Sequence, residues 1–159
     1  MTRRKTPSTE RDPELSDLDR EEFGSRALNR KTVLDMLRKK ESLEEADLRG
    51  LDLSGVSFDG ARLVYAKFAE ANLSKCSFRG ANLTGASFFG ASLKDAVLDE
   101  SNLEEADFDY AWLDGVTLRG ATIRKAIFPL KKVKLDDIRE SVRSGRRLAM
   151  EPFPIDDDD

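Results

Sequence analysis

The chain has 159 residues, with 27 Lys and Arg against 31 Asp and Glu, no His, one Cys and 39% hydrophobic residues, which fits one modest domain with charged ends. Without His there can be no His-dependent triad, imidazole acid–base chemistry or His-rich zinc site, and a lone Cys76 excludes an intramolecular disulfide or a CxxC redox pair. A net charge of -4 argues against general nucleic-acid binding, and a single Cys points to a reducing, cytoplasmic setting.

Residues 1–27 are rich in charge and poor in large apolar side chains, and are expected to form a disordered tail. Their basic start lacks an apolar stretch of the signal-peptide kind, and no apolar run in the chain approaches the roughly 18 residues that a membrane span requires. Over 28–40 a short amphipathic helix is predicted. Thr32 and Asp35 read as a capping-box-like TxxD, Val33, Leu34, Met36 and Leu37 supply the apolar face, and Arg38, Lys39 and Lys40 close the helix.

From Glu41 to Leu130 the sequence divides without insertion into eighteen pentapeptides, from ESLEE and ADLRG to ATIRK and AIFPL. The third residue of each unit is always Leu, Phe or Ile, and the first is Ala in twelve of the eighteen. Five residues of α-helix rotate by about 500°, which scatters the centres around the circumference, and on a straight strand a period of five reverses sides at every unit. The chain must therefore turn once per unit. Eight of the ten glycines sit at the fifth position, where a corner uses their conformational freedom. All six Phe centres fall on alternate units, and Phe68, Phe88, Phe108 and Phe128 are twenty residues apart. Four units per circuit would stack them as a ladder inside a square cross-section.

The units ADLRG, ANLSK, ANLTG and ADFDY resemble the A(D/N)LXX signature of the pentapeptide-repeat family, and the resemblance covers 90 of the 159 residues. It implies an all-β solenoid, a right-handed quadrilateral β-helix of about four and a half coils, with first and third positions inward and the other three outward. At the ordinary inter-strand spacing such a column is about 20 Å long. Left-handed hexapeptide helices have the wrong period, calcium-binding nonapeptides would need GGxGxD, and ice-binding helices would need ranked threonines that Thr84, Thr117 and Thr122 do not provide.

A solenoid end exposes core and open backbone edge, so the two flanks are expected to act as α-helical caps. The first is the helix over 28–40, for which the competing reading is a docking helix. The second lies over 131–150, where Pro129 breaks the repeat and Leu135, Ile138 and Val142 recur at helical spacing before Gly145. In gyrase-targeting members of the family a C-terminal segment also makes the dimer, so this helix is a cap or a homodimer joint. The end, 151–159, is expected to be an acidic disordered tail.

With the interior assigned, function is expected on the outside. Four large side chains occupy outward positions, Tyr65, Phe89, Tyr110 and Trp112, and they are the candidate partner-binding residues. Charge is banded: Asp99, Glu100, Glu104, Glu105, Asp107, Asp109 and Asp114 form an acidic band, followed by Arg119, Arg124, Lys125, Lys131, Lys132 and Lys134 without an acid. Such bands are either a solvated surface or a device for steering a partner. Cys76 takes the small inward slot and is expected to be an inert core thiol. A convex column offers no cleft for an acid–base pair, so no catalysis, cofactor or metal is expected.

The expected function is a non-catalytic protein-protein interaction module, a scaffold, adaptor or regulator whose partner the residues do not identify. The alternative, implied by the resemblance, is a DNA-mimicking modulator of DNA gyrase or another topoisomerase. A DNA mimic should carry regularly spaced negative charge along its length, whereas here the acids concentrate in one band and the repeats carry no loop insertions.

Overall fold

The computed structural model describes residues 27–150, and the expected tails over 1–27 and 151–159 lie outside these apart from Ala27. Two helices flank the repeats: α1 spans Arg30–Arg38 and α2 spans Leu135–Ser144. Between them, from 46 to 125, every unit has the same backbone, with a bridge at the second position and a turn over the fourth and fifth.

The bridges are parallel and join each residue to the one twenty further on, from Asp47 with Lys67 to Asp107 with Ile127. A twenty-residue register of five-residue units makes four walls per circuit. Among the described residues no extended strand forms: each wall is one isolated bridge, because a corner every five residues leaves too little straight backbone for more.

The unit 81–85 shows how the backbone is satisfied. The Ala81 N–H closes a turn onto the Phe78 carbonyl at 3.0 Å, and the Asn82 N–H donates to the Ala61 carbonyl one circuit earlier at 3.0 Å. The Leu83 and Gly85 N–H groups donate to the Asn102 and Glu104 carbonyls one circuit later, both at 2.8 Å. That leaves the Thr84 N–H, which donates to the unit's own Asn82 side chain at 3.2 Å. The preference for Asp, Asn or Ser at the second position follows: a short side-chain acceptor serves the one donor that the ladder leaves over. The same bond recurs at Asp47 to Arg49, Asp52 to Ser54, Asn72 to Ser74 and Asn102 to Glu104.

Each corner places its fifth residue at positive φ as the third residue of a β-turn, the type II pattern. Glycine accepts this readily at Gly60, where φ is 69°. Nine corner residues other than glycine, among them Lys75, Tyr110 and Lys125, adopt the same left-handed conformation with φ near 60°. The ladder bonds on both sides of the corner hold them there.

Inside, the centres and the small first-position residues form one continuous core. Phe68, Phe88, Phe108 and Phe128 stack on one wall with ring centroids 4.8 to 5.1 Å apart, and Phe58 and Phe78 stack on the opposite wall at 4.9 Å. The two ladders meet edge to face at 5.8 to 6.0 Å, the arrangement that aromatic quadrupoles favour. Where a polar atom takes an inner slot it is bonded. The Ser101 hydroxyl donates to the Leu98 carbonyl at 2.6 Å, and the Cys76 thiol faces the Leu53 carbonyl at 3.0 Å.

The helix α1 begins one turn earlier than the TxxD reading expects. Asn29 is its N-cap and accepts the Thr32 N–H at 2.9 Å, so Thr32 lies inside the helix and Asp35 pairs with Arg38 instead. Asn is the stronger cap, and its position three residues before Thr32 suits the bond. Val33 is buried in the core, Met36 and Leu37 pack against it, and Leu34 faces outward.

At the other end α2 buries Ile138 and Ser141, with Val142 partly covered and Leu135 turned out. Gly145 ends it with φ of 83°, packed on the Arg119 side chain. The segment from Ser141 to Met150 supplies acceptors to a circuit that has no further wall above it. Ser141 Oγ accepts the Leu118 N–H at 3.0 Å, while the Val142 and Leu148 carbonyls accept the Gly120 and Gly115 N–H groups at 2.9 and 2.8 Å.

Candidate interaction surface

Phe89 and Tyr110 stand on the outside of the Phe-ladder wall and its following corner. Their rings touch at a centroid distance of 5.2 Å and a tilt of 58°, with 41% of Phe89 and 74% of Tyr110 exposed. Trp112 opens the next wall but is only half-buried rather than fully outward. It lies with Tyr110 in a groove of about 400 Å³, completed by Pro129, Leu130, Lys131, Lys132 and Met150 and rimmed by Asp109. Three of the four candidate aromatics are thus contiguous.

Tyr65 is separate. It sits at the other end of the same wall with its ring over the backbone of Gly85, so close that a Cβ on Gly85 would lie 2.3 Å from the ring. The aromatic spacing alone did not reveal the far side of the groove. Its signal was present in the last unit, AIFPL, where Pro129 and Leu130 take outward positions and Leu130 stands 56% exposed.

The acidic band is interleaved with bases one circuit away. Asp99 lies 3.5 Å from Arg79 and accepts the Arg119 N–H, Glu104 pairs with Arg124, and Asp114 lies 3.3 Å from Lys94. Asp107 accepts the Asp109 N–H at 2.8 Å, a local structural use. Glu100 and Glu105 occupy exposed left-handed corners, and Asp109 is half-buried at the groove. Of the basic run, Lys131 and Lys132 reach the groove, Arg119 packs on Gly145, and Lys134 precedes α2 as its N-cap residue.

Titration follows from local partners. The Arg49 side chain beside Asp47 holds that carboxyl down at about 2, and the Ser54 N–H lowers Asp52. Burial pushes the Cys76 thiol up to about 11, which leaves it protonated and unreactive at neutral pH. Among the described residues no group of three His, Cys, Asp or Glu side chains is placed to hold a metal ion, and no helix is long and apolar enough to cross a membrane.

Residues 51–128 match the family model described as the pentapeptide repeat region. A pentapeptide repeat protein from the Arabidopsis thaliana thylakoid lumen is 42% identical over 51% of this chain and 56% of its own, with a TM-score of 0.50. The pentapeptide repeat protein Rfr23 from the cyanobacterium Cyanothece 51142 is 31% identical over 56% of this chain and 61% of its own, with a TM-score of 0.54. A third, from Nostoc Pcc 7120, is 27% identical over 72% of this chain and 93% of its own, at 0.57. The chain thus spans less than two thirds of the length of the first two. Among curated proteins none matches it. The neighbours give the solenoid its hand and section, a right-handed quadrilateral β-helix.

Proposed function

We propose that this chain, whose 51–128 region belongs to the pentapeptide-repeat family, is a non-catalytic protein-protein interaction module of about four and a half coils, closed at its ends by α1 and α2. Members of the family are generally structural or interaction modules. The observation that carries the reading is the exposed Phe89–Tyr110 pair running into the Trp112 groove, an aromatic surface of the kind that anchors interfaces. Its backing is rigid, because Phe88 and Phe108 stack directly behind it. A cytoplasmic, reducing setting goes with this reading, supported by the lone buried thiol of Cys76.

The gyrase-modulator reading draws less support. A mimic of duplex DNA needs an uncompensated run of negative charge, whereas Asp99, Glu104 and Asp114 each face a base on a neighbouring circuit. Homodimerisation at the C-terminal end would bury Leu135, Ile127 and Leu130, and a Leu135→Glu variant that stays dimeric on sedimentation would exclude that joint.

The test is affinity capture from host lysate with wild type, the Phe89→Ser/Tyr110→Ser pair and the triple variant that adds Trp112→Ser. The pair removes outward rings only, so the unfolding midpoint should be unchanged while the partner is lost. Retention of the same partner by both variants would rule out the aromatic surface. Capture of a topoisomerase that salt weakens and the ring changes do not would replace this reading by the DNA-mimic one.

A further inference from the structure

Met150, the last described residue, is itself part of the groove wall. Its N–H donates to Asp114 Oδ1 at 3.2 Å and its Sδ faces the Leu113 N–H at 2.9 Å, so the chain leaves the fold from inside the groove, already tied to the wall that carries Trp112. The nine residues that follow are Glu-Pro-Phe-Pro-Ile and four Asp. Pro152 and Pro154 each remove one backbone degree of freedom, which reduces the entropy that a segment of this sequence would lose on docking. At about 3.3 Å per residue, five residues reach about 16 Å, ample to cross a groove whose wall is their own starting point.

The chemistry of the segment matches what lines the groove. Phe153 and Ile155 suit the apolar surface of Tyr110, Trp112, Pro129 and Leu130. Asp156 to Asp159 suit the bases of 119–134, a stretch with six Arg and Lys and no acid, two of which, Lys131 and Lys132, line the groove. Asp109 on the rim opposes such a tail locally, which favours the acids passing on the lysine side.

We infer that residues 151–159 dock in cis into the Trp112 groove, Phe153 and Ile155 against its apolar wall and the terminal aspartates against the lysines, so that the chain occupies its own binding surface. A partner must then displace the tail, and removing the tail raises its apparent affinity. The regulatory meaning rests on the interface reading above, whereas the occupancy is measured with no partner present.

Trp112 is the sole tryptophan, so its fluorescence reports the groove alone. The experiment uses the full chain, wild type against Phe153→Ser/Ile155→Ser, at low salt, reading emission maximum and acrylamide quenching. The variant should shift Trp112 emission to the red by several nanometres and increase its quenching constant, with the far-ultraviolet circular dichroism unchanged. Added synthetic peptide of residues 151–159 should reverse both saturably, and Asp156–Asp159 all changed to Lys should reproduce the exposed state. Identical emission and quenching in wild type and variant would overturn the inference, as would a peptide that reverses neither. A wild-type signal that changes on dilution would place the tail in a second copy and overturn the cis assignment.

Discussion

A corner residue at positive φ has two separable requirements, room for a side chain and tolerance of the backbone angle. At Gly60 a Cβ would meet nothing within 4 Å, so Gly60→Ala should cost only the left-handed strain, about 1–2 kcal/mol. At Gly85 the Tyr65 ring must also move, so Gly85→Ala should lower the urea midpoint further, and Tyr65→Ser should remove the excess. A double-mutant cycle with no coupling between positions 65 and 85 would contradict that contact. Thr117 makes a different point: its Oγ1 is buried without a hydrogen-bond partner among the described residues. Thr117→Val should therefore stabilise the fold by about 1 kcal/mol, read as a higher urea midpoint at unchanged slope.

Residue by residue, the sequence was most legible where one requirement repeats. The five-residue period, the inward Leu and Phe centres and the twenty-residue Phe ladder could all be read, since sterics demand the same choice at each unit. Eight glycines marked corners, but nine corners without glycine have the same φ, because ladder bonds override local preference there. Asn29 as the N-cap and the second-position side chains as acceptors went unread, although their residue types fit the roles. The groove was hidden for another reason. Trp112, Leu130 and Met150 are far apart in sequence and are brought together by the path of the segment after α2.

Among the elements, α2 does more than cover apolar surface. Ser141 is fully buried and its hydroxyl accepts the Leu118 N–H, a role that the apolar spacing of Leu135, Ile138 and Val142 did not signal. Ser141→Ala should leave that buried donor unpaired and cost about 1–3 kcal/mol. Local rather than global loss is expected, with hydrogen exchange quickening at Leu118 and Gly120 before the earlier circuits. Uniform quickening along the whole column would show that α2 and the repeats open as one unit. Leu135 departs from the expected apolar face: it is the first residue of α2 and stays exposed, while Ile138 one turn later is buried.

Across the molecule, charge contributes through short-range pairs, and the pH response has a definite sign. Asp47 falls to about 2 in the folded chain against about 4 in an unfolded one, and Asp52 and Glu140 are lowered as well. A depressed carboxyl stabilises the fold above its unfolded value, and that contribution is lost as pH falls through its folded value. Stability should therefore be flat near neutrality and decline between about pH 4 and about pH 2, modestly because Asp47 is largely solvated. A thermal midpoint already falling between pH 7 and pH 5 would point to other groups.

The twenty-residue register also sets which changes of length the chain can absorb. Excising residues 81–100 would join Gly80 to Ser101 with every wall in place, and Phe108 would settle on Phe68 as Phe88 does now. Excising only 91–95 would rotate everything after it by a quarter turn, placing Phe108 above Leu83 and Leu113 above Phe88. The smaller lesion is the more damaging, since it breaks the aromatic stack and leaves the closing segment facing the wrong wall. Growth and shrinkage of such a chain are therefore quantised: four units at a time preserve the molecule, and one unit does not.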